Sequence, residues 1–172
     1  PDSGVFIAGA STFENAEGSF HGGGAEVGVH AFPIDGLDVR ANYSFSYMVD
    51  QRLAELGEED AQDRRHPTHM GNIGASFRSR FGLDVNVDVH LVSSVFVPER
   101  SFDSAGNVVI EDCPGEAYAM VSARLGYRLF KDQLELALTA HNLPAWGDGG
   151  HREHCMGTRV GPRLLGSAVY RF

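Results

Sequence analysis

The side chains best suited to chemistry in this sequence are two cysteines and a nearby group of histidines. Cys113 and Cys155 are the only cysteines among the 172 residues, and His151 and His154 precede Cys155 in a His-x-x-His-Cys cluster. Thiolates and imidazoles are ligands for zinc-like metals, whereas two thiols in an oxidising compartment form a disulfide. Which of these chemistries applies depends on the elements that position the residues.

We predict a disulfide between Cys113 and Cys155 rather than a metal centre. Both cysteines fall in long connections that the strand pattern described below places on one side of the protein, and a bond there would join two exposed loops. Cys155 is then engaged, and the sequence places no carboxylate behind a histidine. No metal site is therefore predicted, and His151 and His154 are the candidate ligands if one exists.

We predict that the protein is not an enzyme and has no cofactor. Its histidines and carboxylates alternate with apolar residues at the spacing of strands, and they form no Ser-His-Asp set, glycosidase carboxylate pair or phosphate loop. The formal net charge is -9 at pH 7, with an isoelectric point near 5.2. Nucleic-acid binding, which relies on basic patches that neutralise phosphates, is excluded on this balance.

Apolar and polar residues alternate with a period of two through most of the sequence. The clearest run has Leu37, Val39, Ala41, Tyr43, Phe45 and Tyr47 between Asp38, Arg40, Asn42, Ser44 and Ser46. Similar runs occupy residues 25–31, 71–78, 83–91, 117–129, 134–141 and 164–172, with a further candidate at 4–10. This pattern predicts antiparallel strands with one apolar face and one polar face.

The connections between these runs are alternately short and long. The short ones are residues 33–36, 80–82 and 131–133, and the long ones are residues 50–66, 98–115 and 145–159. Transmembrane β-barrels have strands of about 9 to 11 residues, short periplasmic turns and long extracellular loops. The sequence therefore predicts an all-β, antiparallel transmembrane β-barrel in the lipid of a Gram-negative outer membrane. In the alternative, a soluble antiparallel barrel or sandwich, the apolar face would be core.

The end of the chain favours the membrane alternative. Tyr170 and Phe172 close the last alternating run, and we interpret this aromatic ending as a signal for the barrel-assembly machinery. The charges of the polar face are then expected to face the lumen, where opposite charges on neighbouring strands can pair. These lumen-facing residues are Arg40, Asp84, Asp88, Arg124, Arg128 and Glu135.

Several stretches, taken in order, resemble the C-terminal barrel portion of TonB-dependent receptors, the large outer-membrane transporters of Gram-negative bacteria. They are Asn15-Ala16-Glu17-Gly18, Gly24-Ala25-Glu26-Val27, Gly36-Leu37-Asp38-Val39, His66-Pro67-Thr68-His69, Ala140-His141-Asn142-Leu143 and Gly161-Pro162-Arg163 with the ending Tyr170-Arg171-Phe172. The likeness covers about residues 13–172. It implies a wall of strands and extracellular loops that serve ligand uptake. Contact with TonB would be made only through a plug, and no plug is present in this sequence.

Residues 1–172 form one barrel segment in this interpretation, and its completeness stays open. The family's barrel has about 22 strands, whereas about seven or eight are predicted here. The chain is then either a fragment of a larger or split barrel, completed by the remainder of that barrel or by other outer-membrane subunits, or a small closed eight-stranded barrel. The polar faces hold many Gly and Ser residues, and residues 1–12 alternate poorly, which favours the fragment. For the small barrel, we would expect a structural or scaffold role in a membrane protein assembly.

Overall fold

The computed structural model describes residues 19–51 and 62–172. These residues form nine β-strands and a short helical turn. The strands are β1 (Phe20–Ile34), β2 (Leu37–Asp50), β3 (His69–Arg78), β4 (Leu83–Val92), β5 (Val95–Phe102), β6 (Val108–Gly115), β7 (Tyr118–Leu129), β8 (Leu134–His141) and β9 (Arg163–Tyr170), and the helical turn is α1 (Ala145–Asp148). The candidate strand at 4–10 and most of the acidic connection at 50–66 lie outside the described residues. No helix in the described ranges is both long and apolar enough to cross a membrane.

Seven of the strands form one antiparallel sheet, in the order β1-β2-β3-β4-β7-β8-β9. The register aligns residues of like polarity across the sheet: Val87 of β4 lies opposite Ala75 of β3 and Ala123 of β7, and Asn72 of β3 lies opposite Asn42 of β2. The period of two therefore sorts the side chains onto two faces, as the sequence predicts. The sheet is not closed, so the closed eight-stranded barrel is not what the described residues form.

Tight turns connect the strands at one end of the sheet. Gly36 and Gly82 have positive φ angles of 80° and 100°, and a Cβ atom at Gly82 would lie 2.4 Å from the carbonyl oxygen of Arg128. Only glycine fits such a position without displacing the backbone. The third turn is built from Phe130, Lys131 and Asp132, which also have positive φ angles. All three predicted short connections are therefore turns at the same sheet end.

One predicted loop is wrong in part. Residues 98–115 are expected to be a long polar loop, but the structure folds most of them into the β5–β6 hairpin, which forms a separate two-stranded sheet. Its turn is organised by Asp103, whose carboxylate accepts hydrogen bonds from the backbone N–H groups of Ala105 (2.9 Å) and Asn107 (2.8 Å). This aspartate turn between two short β-branched runs gives the segment more structure than its polarity suggests. Cys113 therefore lies on a strand and not in a loop.

The sheet has almost no core of its own. Among the described residues, the buried apolar side chains are Cys113 and Ala145, and neither belongs to the seven-stranded sheet. The apolar face stays open: Ile73 is 53% exposed, Leu136 45% and Val87 39%. In a soluble sandwich or barrel this face would pack against a second layer. No second layer covers it within the described ranges.

Candidate functional site: a polar face and a loop cluster

The first group of predicted lumen-facing residues meets across the middle of the sheet. Arg40 of β2 and Asp88 of β4 form an ion pair between one guanidinium nitrogen of Arg40 and Oδ1 of Asp88, although β3 lies between their strands. The residue of β3 in the same row is Gly74. A Cβ atom there would lie 2.5 Å from Asp88 Oδ1 and 2.8 Å from Arg40 Nε. Gly74 thus leaves the space in which this pair forms.

A second set of charges runs toward the end with the tight turns. Asp84 accepts from Arg78 at 3.1 Å and from Arg124 at 3.3 Å. The same Arg124 binds Glu135 of β8, and Glu135 lies 3.4 Å from Arg171, just beyond β9. Gly126 gives Arg124 its room, because a Cβ at Gly126 would lie 2.9 Å from the guanidinium. Alternating charge therefore links β3, β4, β7, β8 and the end of the chain.

Arg128 has a different setting from the other predicted residues. It pairs with Asp132 of the adjoining turn at 3.1 Å, and its Nε has no hydrogen-bond partner among the described residues. The structure thus brings five of the six predicted residues into pairs between strands and leaves Arg128 at the turn. Sequence analysis missed Arg78 and Arg171 as partners, and it missed the glycines that make room. Gly74 could be recognised by its register position between Arg40 and Asp88, and Gly126 by its position opposite Asp84, two residues after Arg124. Both positions require the strand pairing to be known.

Neutral polar side chains continue the polar face toward the other end of the sheet. Asn72 donates to Asn42 at 2.7 Å, and His90 lies within hydrogen-bond distance of Asn72 Oδ1. Toward the tight turns, His30 of β1 lies 2.9 Å from Oδ2 of Asp38 of β2, whose Oδ1 has no hydrogen-bond partner among the described residues. The polar face therefore satisfies its hydrogen-bonding groups largely within itself, as a wall that borders water or another polar surface does.

The long connections come together at the end of the sheet opposite the tight turns. We call residues 62–68, the β5–β6 hairpin and residues 142–162 the loop cluster. The amide of Phe96 in β5 donates to the carbonyl of Arg64 at 2.9 Å, and the Arg64 guanidinium lies 5.6 Å from the centre of the Phe96 ring. Glu116, just after β6, lies 3.8 Å from Arg159. The three segments are thus tied to one another and form a single surface.

The two cysteines are among the groups that tie the loop cluster together. The structure pairs Cys113 of β6 with Cys155, with Cα atoms 5.6 Å apart, inside the range of about 4.4 to 6.8 Å that a disulfide needs. Next to them, His154 Nε2 lies 2.9 Å from Oε1 of Glu99 on β5. His154 and the two cysteine sulfurs have their ligand atoms within 4.8 Å of one another. This carboxylate behind a histidine is a feature that the sequence could not place.

His151, the second candidate metal ligand, lies in other surroundings. Its ring stacks on Tyr118 of β7, with centroids 3.8 Å apart and an interplanar angle of 11°. It is 7% exposed, and its Nε2 has no hydrogen-bond partner in the described part of the chain. Within those same residues, the group of potential metal ligands includes His154 and not His151. The two histidines therefore do not act as one ligand pair.

A buried asparagine fixes residues 142–162 against the sheet. Asn142 is 3% exposed, has a φ of 53° and donates through its side-chain amide to the carbonyl of Val160. Asparagine tolerates this left-handed conformation better than most residues. A cavity of about 380 Å³ lies beside it, lined among others by Glu116, His151 and Arg159. The cavity also borders Tyr118 and Ala119 at the start of β7.

Hydrogen bonds stabilise the ionised forms of two loop carboxylates, Asp63 and Asp103. The hydrogen bonds that Asp63 accepts from the Arg65 side chain, at 2.7 and 2.8 Å, hold the pKa of that carboxyl below its usual range. In the hairpin turn, hydrogen bonds from Asn107 lower the pKa of Asp103. Both loops therefore keep their local geometry at neutral pH, where these carboxylates are charged.

The C-terminal aromatics lie at an open edge. β9 pairs with β8 along one side, and the Tyr170 and Phe172 rings are 6.5 Å apart. Tyr170 is opposite Leu134, a residue of the apolar face, and both rings are exposed. This end of the chain thus presents aromatic side chains beside a strand edge that pairs with no other strand among the described residues.

Comparison with known proteins addresses the fold. No protein-family model matches the sequence, and none of the curated proteins is similar to it. Among solved structures, it resembles FpvA of P. aeruginosa bound to heterologous pyoverdines, in an iron complex, with a TM-score of 0.65, 15% identity and 87% of this chain covered. It also resembles the complex of FpvAI with pyocin S2, with a TM-score of 0.56, 15% identity and 72% covered.

FpvA is a TonB-dependent receptor. The sheet described here has a TonB-dependent-receptor-like fold. The chain spans 19% and 15% of the length of the two FpvA chains, so it corresponds to a part of such a protein. Receptors of this kind are transporters and not enzymes. Their location is the outer membrane of Gram-negative bacteria.

Proposed function

We propose that this chain is the C-terminal wall segment of a TonB-dependent-receptor-like outer-membrane barrel and contributes strands and extracellular loops to ligand uptake. The observation that carries the proposal is the pairing of two unlike faces in one sheet. An exposed apolar face has its charged counterpart directly behind it, and all long connections gather at one end. This combination suits a barrel wall between lipid and an aqueous or plugged interior.

The apolar face supports a membrane location on energetic grounds. Several large apolar side chains of this face are exposed, including Phe45 (36%), Ile73 (53%) and Val29 (62%). Each square ångström of such surface removed from water contributes about 25 cal/mol. Soluble monomers rarely leave a contiguous apolar patch larger than a few hundred Å² open. Lipid acyl chains would cover the whole face without any added protein layer.

The polar face supports a lumenal position for the charges. The Arg40–Asp88 pair and the linked charges around Asp84, Arg124 and Glu135 satisfy one another within the wall. On the lipid side, an unpaired arginine would cost about 2 to 4 kcal/mol at the membrane midplane. We therefore assign Arg40, Asp84, Asp88, Arg124, Arg128 and Glu135 to the interior surface.

The edges of the sheet support a larger barrel. β1 pairs with β2 alone and β9 with β8 alone in the described strands, and open edges do not persist in hydrocarbon because backbone groups there lack partners. Further strands, from the remainder of a larger barrel or from other outer-membrane subunits, would complete both edges. Tyr170 and Phe172, at the β9 edge, are proposed as the signal that the barrel-assembly machinery reads.

The loop cluster would face the outside of the cell. Tight turns belong on the periplasmic side and long loops on the extracellular side of such barrels. We propose that Cys113 and Cys155 are bonded there, where the environment favours disulfides. The FpvA structures carry pyoverdine with iron in one case and pyocin S2 in the other, and the corresponding proposal here is capture of an external solute. Coupling to TonB would require a plug outside this sequence.

The experiment that tests the proposal is the intact mass of the native polypeptide extracted from outer membranes. We expect a polypeptide several times heavier than 18.6 kDa, recovered with the outer-membrane fraction and unreactive toward iodoacetamide until it is reduced. A native mass of 18.6 kDa would contradict the receptor proposal. The scaffold role of a small barrel would then be preferred, a role that no observation among the described residues favours now.

A further inference from the structure

Glu99, Cys113, His154 and Cys155 bring together two sulfurs, an imidazole and a carboxylate within the loop cluster. We propose that reduction of the Cys113–Cys155 disulfide converts this cluster into a binding site for a zinc-like divalent cation. The metal would then hold β6 to residues 142–162 in place of the covalent bond. The proposal does not depend on the transport role, because it concerns the ligand atoms alone.

The ligand set is suited to a borderline-soft metal. Two cysteine thiolates and one histidine nitrogen form a known type of zinc site with one further position open. Zinc binds sulfur at about 2.3 Å and nitrogen at about 2.0 to 2.1 Å, so the ligand atoms of a tetrahedral site lie about 3.5 to 3.8 Å apart. The ligand atoms now lie within 4.8 Å of one another. After reduction, the two sulfurs, which are bonded to each other in the oxidised chain, must move apart to about 3.8 Å, and the histidine nitrogen must move closer by up to about 1 Å. Cys113 is 5% exposed, so its side of the site is shielded from water.

His154 already has the protonation pattern that metal binding requires. The amide of Met156 donates to its Nδ1 at 3.2 Å, so Nδ1 carries a lone pair. The proton is then on Nε2, 2.9 Å from Oε1 of Glu99. A ligating histidine generally donates its other N–H to a carboxylate, which fixes the ring and raises its basicity. Glu99 is thus a positioning residue, and the metal would displace the long hydrogen bond from Met156.

The disulfide determines when the site exists. Sulfurs bonded to each other are not thiolates, and the thiolate is the metal ligand. Two molecules of an external thiol reduce the bond: their sulfurs become one external disulfide, and Cys113 and Cys155 each gain a proton. Binding of the cation then releases those two protons to solvent. The loop cluster would therefore stay connected under oxidising conditions through sulfur and under reducing conditions through metal.

The experiment uses the native polypeptide purified from outer membranes in detergent micelles, oxidised or reduced with a phosphine that is then removed, and titrated with Co²⁺ followed by Zn²⁺. We expect one equivalent of Co²⁺ with the visible bands of tetrahedral cobalt thiolate after reduction, no such bands before it, and displacement by Zn²⁺. His154→Gln should weaken binding at least 10-fold and Glu99→Gln about 10- to 100-fold. His151→Gln changes a nearby histidine that does not belong to the ligand group, so it should leave binding unchanged.

Three results would overturn the inference. They are absence of Co²⁺ binding by the reduced chain, equal binding by the oxidised chain, and full affinity in His154→Gln. The comparison of oxidised with reduced wild-type protein requires no substitution, so it decides the question even if a variant fails to fold. A null result here would leave the receptor proposal standing, because that proposal is tested by native mass.

Discussion

The seven-stranded sheet and the loop cluster are held together in different ways. In the sheet, regular backbone pairing extends over every strand, and ion pairs cross it at glycine positions such as Gly74. In the loop cluster, regular pairing is confined to the β5–β6 hairpin. The remaining contacts are individual ones, including the Cys113–Cys155 pair, the stacking of His151 on Tyr118 and the buried amide of Asn142.

This difference indicates where stability and where specificity reside. The sheet repeats one structural rule, so residues away from its glycines and ion pairs can be exchanged for others of the same face with little effect on the fold. The loop cluster depends on unique contacts, each of which fixes one segment. A wall that must be rigid and a surface that must recognise something would divide their tasks in this manner. The predictions that follow test this division, from the largest expected effect to the smallest.

Val87→Lys should destabilise the folded protein in lipid vesicles by about 2 to 4 kcal/mol, because it places a charge on the proposed lipid side. Asn86→Lys, one residue away on the polar face, should cost much less. Leu136→Lys and Thr139→Lys form a second matched set on β8. Urea unfolding followed by far-UV circular dichroism in vesicles measures both sets. If lysine lowered stability equally on the apolar and polar faces, the two faces would have the same surroundings and the lipid assignment would be wrong.

Gly82→Ala should destabilise the sheet by about 2 kcal/mol or more, since the added Cβ meets the Arg128 carbonyl and the residue has a φ of 100°. Gly106→Ala in the hairpin turn is the control. Its φ is 84°, but a Cβ there has no atom within 4 Å, so strain of about 1 kcal/mol is expected. Urea unfolding followed by circular dichroism should show the larger loss of stability for Gly82→Ala. A larger loss of stability in Gly106→Ala than in Gly82→Ala would contradict the proposal that the close backbone contact at Gly82 matters more.

Gly74→Ala should separate Arg40 from Asp88 and lower stability relative to Gly28→Ala by about 1 kcal/mol. Gly28 also lies on the polar face, but the nearest atoms to its added Cβ are 3.9 Å away. Parallel urea titrations of the two variants measure the difference. If Gly74→Ala were as stable as Gly28→Ala, the ion pair through Gly74 would contribute nothing to the wall.

Acidification should loosen the loop cluster before the sheet. Arg65 lowers the folded-state pKa of Asp63, so this interaction contributes stability at pH values above the carboxyl's usual pKa and loses it as the pH falls through the lowered value. The effect should be about 1 kcal/mol or less. The Phe96 amide donates to the Arg64 carbonyl. Its protection factor, corrected for the intrinsic pH dependence of exchange, should fall at acidic pH and lose that dependence in Asp63→Asn. If the pH dependence were the same in Asp63→Asn, a group other than Asp63 would be responsible for it.

The sheet could be predicted from the sequence because one physical rule generates it. Alternation at 37–47 or 83–91 identifies a strand, its two faces and its length at the same time. The alternation does not show which charged residues pair with one another. Arg78 reaches Asp84 and Arg171 reaches Glu135 only because of the register, which depends on the order of strands and on the turns.

The loop cluster was harder to predict because its contacts join distant residues without a repeating pattern. The hairpin at β5–β6 was missed although Asp103 and Gly106 form a turn signal between two β-branched runs. The cysteines could be identified as a pair by their number, but Glu99 beside His154 follows from folding of the hairpin against residues 142–162. The sequence therefore contains signals for single elements of the loop cluster, such as the hairpin turn. It contains no signal for the contacts between these elements.

The most direct test of the central claim is site-directed spin labelling along β4 and β5 of the protein in lipid vesicles, with accessibility to oxygen and to a water-soluble nickel complex. Along β4 we expect oxygen accessibility at Val85, Val87, Val89 and Leu91 and nickel accessibility at Asp84, Asn86, Asp88 and His90. Along β5 every position should favour nickel, since the hairpin belongs to the loop cluster. A period of two on β4 with none on β5 is the predicted result, and the absence of alternation on β4 would contradict a wall between lipid and an aqueous interior.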